Sequence, residues 1–227
     1  MVYTESLSPL GQAFFFVNDH RPIMDAAKRI FLADGLACQR GARILFRNIS
    51  FALEAGGILH VTGPNGCGKT SLLRQIAGSL PITEGTVTWQ GEKDVMYLPP
   101  HDALLKRQDT AAETLLFWAR VLGADKSAMR DALEKTGFCK RADMPVRHMS
   151  AGQKRRLSLA RVFLKPQAIW LLDEPKNALD DGARAMLHAE LSAHCARGGA
   201  AVIAGHDAIE QPDGARLQTL ALGQGAA

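Results

Sequence analysis

A glycine-rich stretch at residues 63–70 constrains the fold of this chain more than any other feature of its sequence. It reads G-P-N-G-C-G-K-T and so matches the pattern G-x-x-x-x-G-K-T. An apolar segment at 58–61 precedes it, and residues 71–77 follow with helical spacing and end before Gly78, a favoured residue at helix C-termini. The sequence therefore predicts a strand, a phosphate-binding loop and a helix, in that order.

The chemistry of such a loop follows from its residue types. Glycines allow successive backbone N–H groups to turn towards one point, and the positive end of the next helix faces the same point. Lys69 is expected to reach the β- and γ-phosphates of a nucleotide, and the Thr70 hydroxyl is expected to ligate Mg²⁺. The predicted nucleotide-binding residues of this segment are Gly63, Pro64, Asn65, Gly66, Cys67, Gly68, Lys69, Thr70 and Ser71.

Composition excludes several classes of protein but does not identify the binding partner. The net charge of +4 is compatible with a nucleotide, an anionic membrane surface or nucleic acid, and selects none of them. No apolar run approaches 18 residues, and no basic segment followed by an apolar one opens the chain, so we expect neither a membrane span nor a secretory signal. The cysteines form no C-x-x-C pair, which argues against a disulfide framework or a zinc site and favours a reducing compartment.

The sequence divides into residues 1–28, an N-terminal extension, and residues 29–227, the main domain. Met24 stands just before the well-patterned region, so two interpretations stay open: a mis-assigned start, or a short native extension.

Within the main domain, residues 29–62 are β-rich, and turns are predicted at 34–35 and 39–42. Apolar strands are predicted near 85–91, 95–98, 169–172 and 200–204, and a helix at 180–195. Helical spacing from 109 to 165 predicts a helical insertion at about 103–165 in an α/β core.

A second motif places two carboxylates at the end of an apolar strand. Asp173 and Glu174 follow the run 169–172. Behind a phosphate-binding loop, the first carboxylate is expected to hold Mg²⁺ and the second to orient or deprotonate an attacking water. The competing interpretation is a strand that ends in a solvated acidic turn.

A third motif makes the pattern specific. Residues 149–153 read M-S-A-G-Q and resemble the L-S-G-G-Q signature loop of ATP-binding-cassette ATPases. Residues 177–180 resemble the D-loop of that family, and His206, after an apolar strand, resembles its switch histidine. The resemblance covers roughly residues 29–220 and implies an α/β P-loop NTPase fold with an antiparallel β subdomain and a helical insertion.

The resemblance also implies a mechanism. Two ATPase domains pair head to tail as a homodimer, and each ATP lies between one phosphate-binding loop and the signature loop of the other domain, where Ser150, Gly152 and Gln153 stand. Lys69, Glu174 and His206 are the implied catalytic residues: Glu174 would polarise the water and His206 would contact the γ-phosphate. Asp180 would communicate across the dimer.

Two positions depart from the family pattern. Asp102 stands where the family has a glutamine, and its carboxylate is also able to approach Mg²⁺. The candidate Mg²⁺ ligands are therefore Thr70, Asp173 and Asp102. The aromatic residue that stacks on adenine is missing from residues 38–41, and Arg40 or Arg43 is expected to stack instead.

Short strings at 36–46, 110–115 and 150–156 resemble the ATP-binding subunit of the cytochrome c biogenesis haem exporter. That resemblance implies an ATPase that is peripheral to the cytoplasmic face of the inner membrane and acts with separate transmembrane subunits, without nucleic acid. The histidines show no axial-ligand pattern for haem, so haem chemistry is expected on other chains.

Other functions stay open from the sequence. The chain could serve another small exporter of lipid, drug or peptide, or it could be a non-catalytic nucleotide-binding regulatory subunit. A cassette protein acting on ribosomes or DNA is disfavoured, since such chains carry two cassettes or long coiled-coil insertions. The basic run Lys154, Arg155 and Arg156 is interpreted as a solvated helix face in preference to a nucleic-acid patch.

Overall fold

The computed structural model describes residues 29–100 and 104–223. The predictions on residues 1–28 and on Asp102 therefore lie outside the described residues. The strands are β1 (Arg29–Arg40), β2 (Arg43–Glu54), β3 (Gly57–Thr62), β4 (Glu84–Trp89), β5 (Val95–Leu98), β6 (Ile169–Asp173), β7 (Ala200–Ala204) and β8 (Arg216–Ala221). The α-helices are α1 (Lys69–Ala77), α2 (Ala111–Leu122), α3 (Lys126–Lys135), α4 (Ala151–Ala160) and α5 (Asp181–Ala196).

A five-stranded parallel sheet in the order β5-β6-β7-β3-β8 forms the centre of the molecule. Every residue of β6 and β7 is buried, as expected for strands covered on both faces. Helix α1 packs on one face through Leu72, Leu73 and Ile76, and α5 packs on the other through Leu187 and Leu191. The carboxyl ends of β3, β6 and β7 consequently lie side by side at one edge.

A second, antiparallel sheet in the order β2-β1-β4 lies over the α1 side of the core. Phe31 of β1 is buried there and contacts the rings of Phe51 and Trp89, with ring centroids 5.6 and 4.7 Å away. These two sheets and the helices confirm the predicted α/β class with an antiparallel subdomain.

The turn predicted at residues 34–35 is wrong, because β1 runs through it. Ala33 pairs with Phe51 and Leu36 with Ile49, so β1 carries an extra residue there and forms a β-bulge. Gly35 adopts φ +62° at the bulge, and Ser50 Oγ accepts a hydrogen bond of 2.9 Å from its N–H. An Asp-Gly pair suits a left-handed bulge position as well as a turn, and local sequence does not separate the two.

The segment between β5 and β6 is helical, as predicted. Thr110 caps α2 in a reciprocal capping box with Glu113, and Ser150 caps α4 in the same way with Gln153. Helical spacing continues past the ends of two helices: Phe138 lies beyond α3, and Leu164 lies beyond α4 and a following 3₁₀ turn (Arg161–Phe163). Both side chains are buried in the hydrophobic core of the helical segment between β5 and β6. Their apolar spacing therefore resembles that of a longer helix.

Gly199 is expected to be intolerant of a side chain, since a Cβ there would overlap the imidazole ring of His194. That ring is stacked on Trp170, with centroids 4.0 Å apart, and its Nε2 donates to the Ala200 carbonyl at 3.0 Å. Gly199→Ala should destabilise the chain by about 1–3 kcal/mol, as overpacked cores do. Thermal unfolding should then shift downwards by about 2–4 °C per kcal/mol for a domain of this size.

The control for this substitution is Gly182→Ala, near the start of α5. The nearest atom to a Cβ at Gly182 is Asp180 Oδ1, at 3.9 Å, and alanine is the better helix former. Its unfolding temperature should stay level or rise. An unchanged unfolding temperature for Gly199→Ala would show that the His194 ring gives way freely.

Candidate functional site

The carboxyl edge of the parallel sheet gathers residues of the glycine-rich loop, the paired carboxylates and the strand-end histidine. A cleft of about 460 Å³ opens there between the glycine-rich loop after β3, the end of β6 and the end of β7. Its lining residues are Leu45, Asn65, Gly66, Gly68, Lys69, Thr70, Ser71, Pro100, Glu174, Asn177, His206 and Asp207. Sheets of this kind bind ligands at the carboxyl ends of their strands.

The loop needs glycine at Gly68 for two reasons. This residue has φ +113°, a conformation that L side chains rarely adopt. A Cβ at the same position would also lie 2.8 Å from a ring carbon of Phe46 in β2. The loop therefore packs closely on the antiparallel sheet, and α1 begins at the next residue, so its free N–H groups face the cleft.

The Lys69 side chain is almost fully buried and extends across the glycine-rich loop. Its Nζ donates to the carbonyl oxygens of Gly63 at 2.7 Å and Pro64 at 3.3 Å. It also lies 3.1 Å from His206 Nε2, which in turn lies 2.6 Å from Asn65 Oδ1. In a neutral imidazole, Nε2 either accepts a hydrogen bond from the Lys69 ammonium or donates one to the Asn65 amide oxygen, but not both. Lys69 and Asn65 therefore compete for Nε2 of His206 inside the cleft.

Asp173 is the most deeply buried carboxylate at the site, with 1% of its surface exposed. Burial raises its pKa above the usual value, and the neighbouring Thr70 hydroxyl opposes that rise. Tyr97 donates its hydroxyl to Asp173 Oδ2 at 3.4 Å, whereas Oδ1 has no hydrogen-bond partner among the described residues.

An unpartnered carboxylate oxygen next to a threonine hydroxyl fits a hard divalent cation. In the part of the chain that the structure describes, no three His, Cys, Asp or Glu side chains cluster as a metal site. A cation here would consequently take few protein ligands, which suits an ion that is also held by phosphate oxygens.

Glu174 has an unusual backbone for a non-glycine residue, with φ +48°. Such a conformation costs on the order of 1–3 kcal/mol and persists only where neighbouring groups impose it. The N–H of Glu174 donates to the Ala204 carbonyl at 2.8 Å, and its Oε1 lies 3.9 Å from His206 Nε2. The carboxylate therefore faces the cleft next to the histidine.

The signature-loop residues Ser150, Gly152 and Gln153 do not line this cleft. Ser150 and Gln153 form the capping box of α4, in which Gln153 Oε1 accepts from the Ser150 N–H at 2.9 Å. A Cβ at Gly152 would lie 2.8 Å from the Ala178 carbonyl oxygen in the D-loop of the same chain. Glycine is needed here for a close approach of two loops, a reason that the sequence pattern did not reveal.

The interpretation of the basic run as a solvated helix face is wrong for Arg155, which is 2% exposed. Its guanidinium donates to main-chain carbonyls of four residues: Pro99, Asp173, Glu174 and Pro175. The sequence also missed Tyr97 as a partner of Asp173. Neither residue carries a local signal, because both reach the site across different elements of the fold.

Leu45 lines the cleft, and no Phe, Tyr or Trp is among the described residues of the lining. Arg43 Nη1 lies 4.0 Å from the position of a Cβ on Gly66, so its guanidinium borders the loop. Arg40 is exposed at the end of β1 and does not line the cleft.

Comparison with known families identifies this arrangement. Residues 46–177 match the family model described as ABC transporter. Two curated relatives named "Cytochrome c biogenesis ATP-binding export protein CcmA" are 42% identical over 179 residues in Nitrobacter winogradskyi and 42% identical over 207 residues in Pseudomonas putida. The first alignment covers 76% of this chain and 90% of the relative, and the second covers 86% and 97%.

Solved structures agree on the fold. An ABC transporter ATP-binding protein from Pyrococcus furiosus superposes with a TM-score of 0.72 at 22% identity, over 85% of this chain and 96% of that one. A bacterial Atm1-family ABC exporter with ATP bound gives a TM-score of 0.73 at 20% identity, over 90% of this chain and 39% of that chain.

The family carries consequences for assembly. Membership implies ATP binding, dimerisation and association with transmembrane subunits. None of the helices in residues 29–100 and 104–223 is long and apolar enough to cross a membrane. This chain is therefore an ATPase of the ABC transporter family and belongs with the ATP-binding export proteins of cytochrome c biogenesis.

Proposed function

We propose that this chain hydrolyses ATP as the energy-supplying subunit of the haem exporter of cytochrome c biogenesis. The assignment of the ATPase site is supported by the convergence of five side chains at one edge of the parallel sheet. They are Lys69, Thr70, Asp173, Glu174 and His206. The pathway rests on the names of relatives that are about 42% identical over most of their length.

In the proposed reaction, the N–H groups at the start of α1 and the Lys69 ammonium bind the β- and γ-phosphates of ATP. The phosphate oxygens take over Lys69 from the carbonyls of Gly63 and Pro64, which it now contacts. Mg²⁺, held by the Thr70 hydroxyl and Asp173, would neutralise phosphate charge when bound.

Glu174 orients the attacking water and accepts its proton, as a carboxylate within reach of the γ-phosphate can do. His206 contacts the γ-phosphate, for which its position between Lys69 and Asn65 prepares it. Leu45 and Arg43 contact the nucleotide base in place of an aromatic ring. We therefore expect weak discrimination between ATP and other nucleoside triphosphates.

We further propose that a second copy of the chain closes each site. Ser150 is exposed at the start of the ten-residue helix α4 and lies away from its own cleft. A helix start with a serine hydroxyl and a close glycine backbone is suited to contact a phosphate. Ser150 and Gly152 would then bind the γ-phosphate of the ATP held by the partner, with Gln153 fixing the shape of that helix start.

The complex is proposed to lie at the cytoplasmic face of the inner membrane, where this chain is peripheral and separate transmembrane subunits handle haem. A strain lacking the gene for this chain should then fail to attach haem covalently to its c-type cytochromes. Haem staining of denatured cytochromes, after complementation with wild type or Glu174→Gln, measures this directly. Wild type should restore the cytochromes, and Glu174→Gln should not.

The matched control is Glu92→Gln, because Glu92 is exposed in the turn between β4 and β5. It should restore cytochromes like wild type. Normal c-type cytochromes in the deletion strain would overturn the haem pathway and leave an exporter of other cargo. Full restoration by Glu174→Gln would instead overturn the dependence on ATP hydrolysis.

A further inference from the structure

Arg155 joins α4, the helix that begins at the signature loop, to the main chain of Glu174 in the same chain. The motifs of the ATP site do not include this contact. The residue lies in α4, five positions after Ser150, and its side chain reaches across to the end of β6. Arginine is rarely this buried unless its donors are paired, so the partners of its guanidinium are informative.

Among the described residues, its guanidinium donates to main-chain oxygens of two segments that border the ATP site. Nη2 donates to the carbonyls of Asp173 and Glu174, each at 2.8 Å, and Nε donates to that of Pro175 at 3.3 Å. Nη1 donates to the carbonyl of Pro99, also at 2.8 Å. A rigid fork of donors is suited to hold several acceptors in one geometry, which a flexible ammonium cannot do.

The segment that it holds contains backbone strain. Glu174 adopts φ +48°, and its N–H donates to the Ala204 carbonyl. Its own carbonyl accepts from the Arg155 guanidinium at 2.8 Å and from the Asn177 N–H at 3.2 Å. Without the guanidinium, the Glu174 carbonyl would keep the longer bond from Asn177 but lose its charged donor. The peptide unit after Glu174 would then relax more readily towards an unstrained conformation and carry the carboxylate away from the cleft. Hydrogen bonds from a charged donor are strong enough to offset backbone strain of this kind.

The other end of the connection is the signature loop. Ser150 caps α4, and Arg155 follows one and a half turns later on the same rigid helix. A displacement of α4 on contact with the partner's nucleotide would therefore move the guanidinium and, with it, the peptide units of Asp173 and Glu174.

We propose that Arg155 is a positioning residue that sets Glu174 according to the position of the signature helix, so that hydrolysis in one site responds to nucleotide contact in the other. This inference rests on the proposed function of Glu174. Its prediction is that loss of the fork slows the hydrolytic step and leaves ATP binding and dimer formation intact.

The test is a double-mutant cycle between Arg155→Lys and Glu174→Gln in the purified transporter complex. Single-turnover ATP hydrolysis, ATP affinity and thermal unfolding are measured for each variant. Arg155→Lys alone should slow hydrolysis at least about tenfold, a loss that non-additive catalytic units commonly show, with ATP affinity within about twofold of wild type. In the Glu174→Gln background the same substitution should change the residual rate by less than about twofold.

Arg161→Lys is the matched control, because Arg161 is a second buried arginine of the same helical region. It donates to the Tyr97 carbonyl at 2.9 Å and stacks on Trp118, and burial together with the charge of Arg155 lowers its pKa to about 10. Its loss should lower the unfolding temperature and leave the hydrolysis rate per ATP-bound chain unchanged. Rates for every variant are expressed per bound ATP, which corrects for any unfolded fraction, and Arg155→Gln repeats the measurement if the lysine variant does not fold.

An equal slowing by Arg155→Lys in both Glu174 backgrounds would overturn the inference, since the arginine would then act independently of the carboxylate. So would a full rate in Arg155→Lys, or a loss matched by Arg161→Lys. The cycle measures ATP turnover alone, so a wrong assignment of cargo would not affect its result. A wild-type complex without turnover would contradict the proposed role of Glu174 and, with it, this inference.

Discussion

Glu174→Gln is expected to abolish ATP turnover while the chain still binds ATP. The substitution keeps the size and the backbone of Glu174 but removes the charge that accepts a proton from water. Loss of a general base costs about 10²–10⁴-fold in rate. ATP hydrolysis by the complex should fall by at least 100-fold, within that range, and equilibrium binding of a labelled nucleotide should stay within about twofold of wild type.

The same variant should accumulate as a nucleotide-bound dimer, because the closed state would form without proceeding to products. Size-exclusion chromatography with ATP and Mg²⁺ would show it, and ADP should not produce it. Glu92→Gln, in its exposed turn, should hydrolyse ATP at the wild-type rate. Substantial turnover by Glu174→Gln would assign the general base to another group, and a wild-type complex that binds but never hydrolyses ATP would favour a regulatory subunit.

Lys69→Ala is expected to weaken ATP binding itself. The ammonium is buried at the loop, and among the described residues that line the cleft no other Lys or Arg is present. Hydrogen bonds to charged groups contribute about 1.5–3 kcal/mol, so the dissociation constant for ATP should rise about 10–100-fold. Titration with a fluorescent ATP analogue would measure the change.

Folding should be little affected, since Pro64 is exposed and Gly63 is half-buried, so the carbonyls that Lys69 contacts can be hydrated in its absence. Lys165→Ala is the control, because Lys165 is exposed and follows the 3₁₀ turn far along the chain from the loop. It should bind ATP as wild type does. Unchanged affinity in Lys69→Ala would mean that the backbone N–H groups of the loop suffice for the phosphates.

Much of the fold could be predicted because the signals are local. The loop pattern at 63–70, buried apolar runs such as β6 and β7, and the helical spacing of α5 each depend on a few neighbouring residues. Where a local pattern suits two structures, prediction failed: the Asp-Gly pair at 34–35 suits a turn or a bulge, and only the pairing of β1 with two neighbours decides for the bulge.

The same distinction between local signals and tertiary contacts applies to the residues of the candidate site. The sequence by itself determined the residues whose chemistry is set by type and spacing, among them Lys69, Asp173 and Glu174. Only the tertiary structure decided that Arg155, read locally as part of a charged and solvated helix face, is buried against the main chain of Pro99 and Glu174. Its partners are peptide carbonyls, which every residue carries, so no side-chain pattern could mark them, and the burial of a charge depends on which elements meet around it.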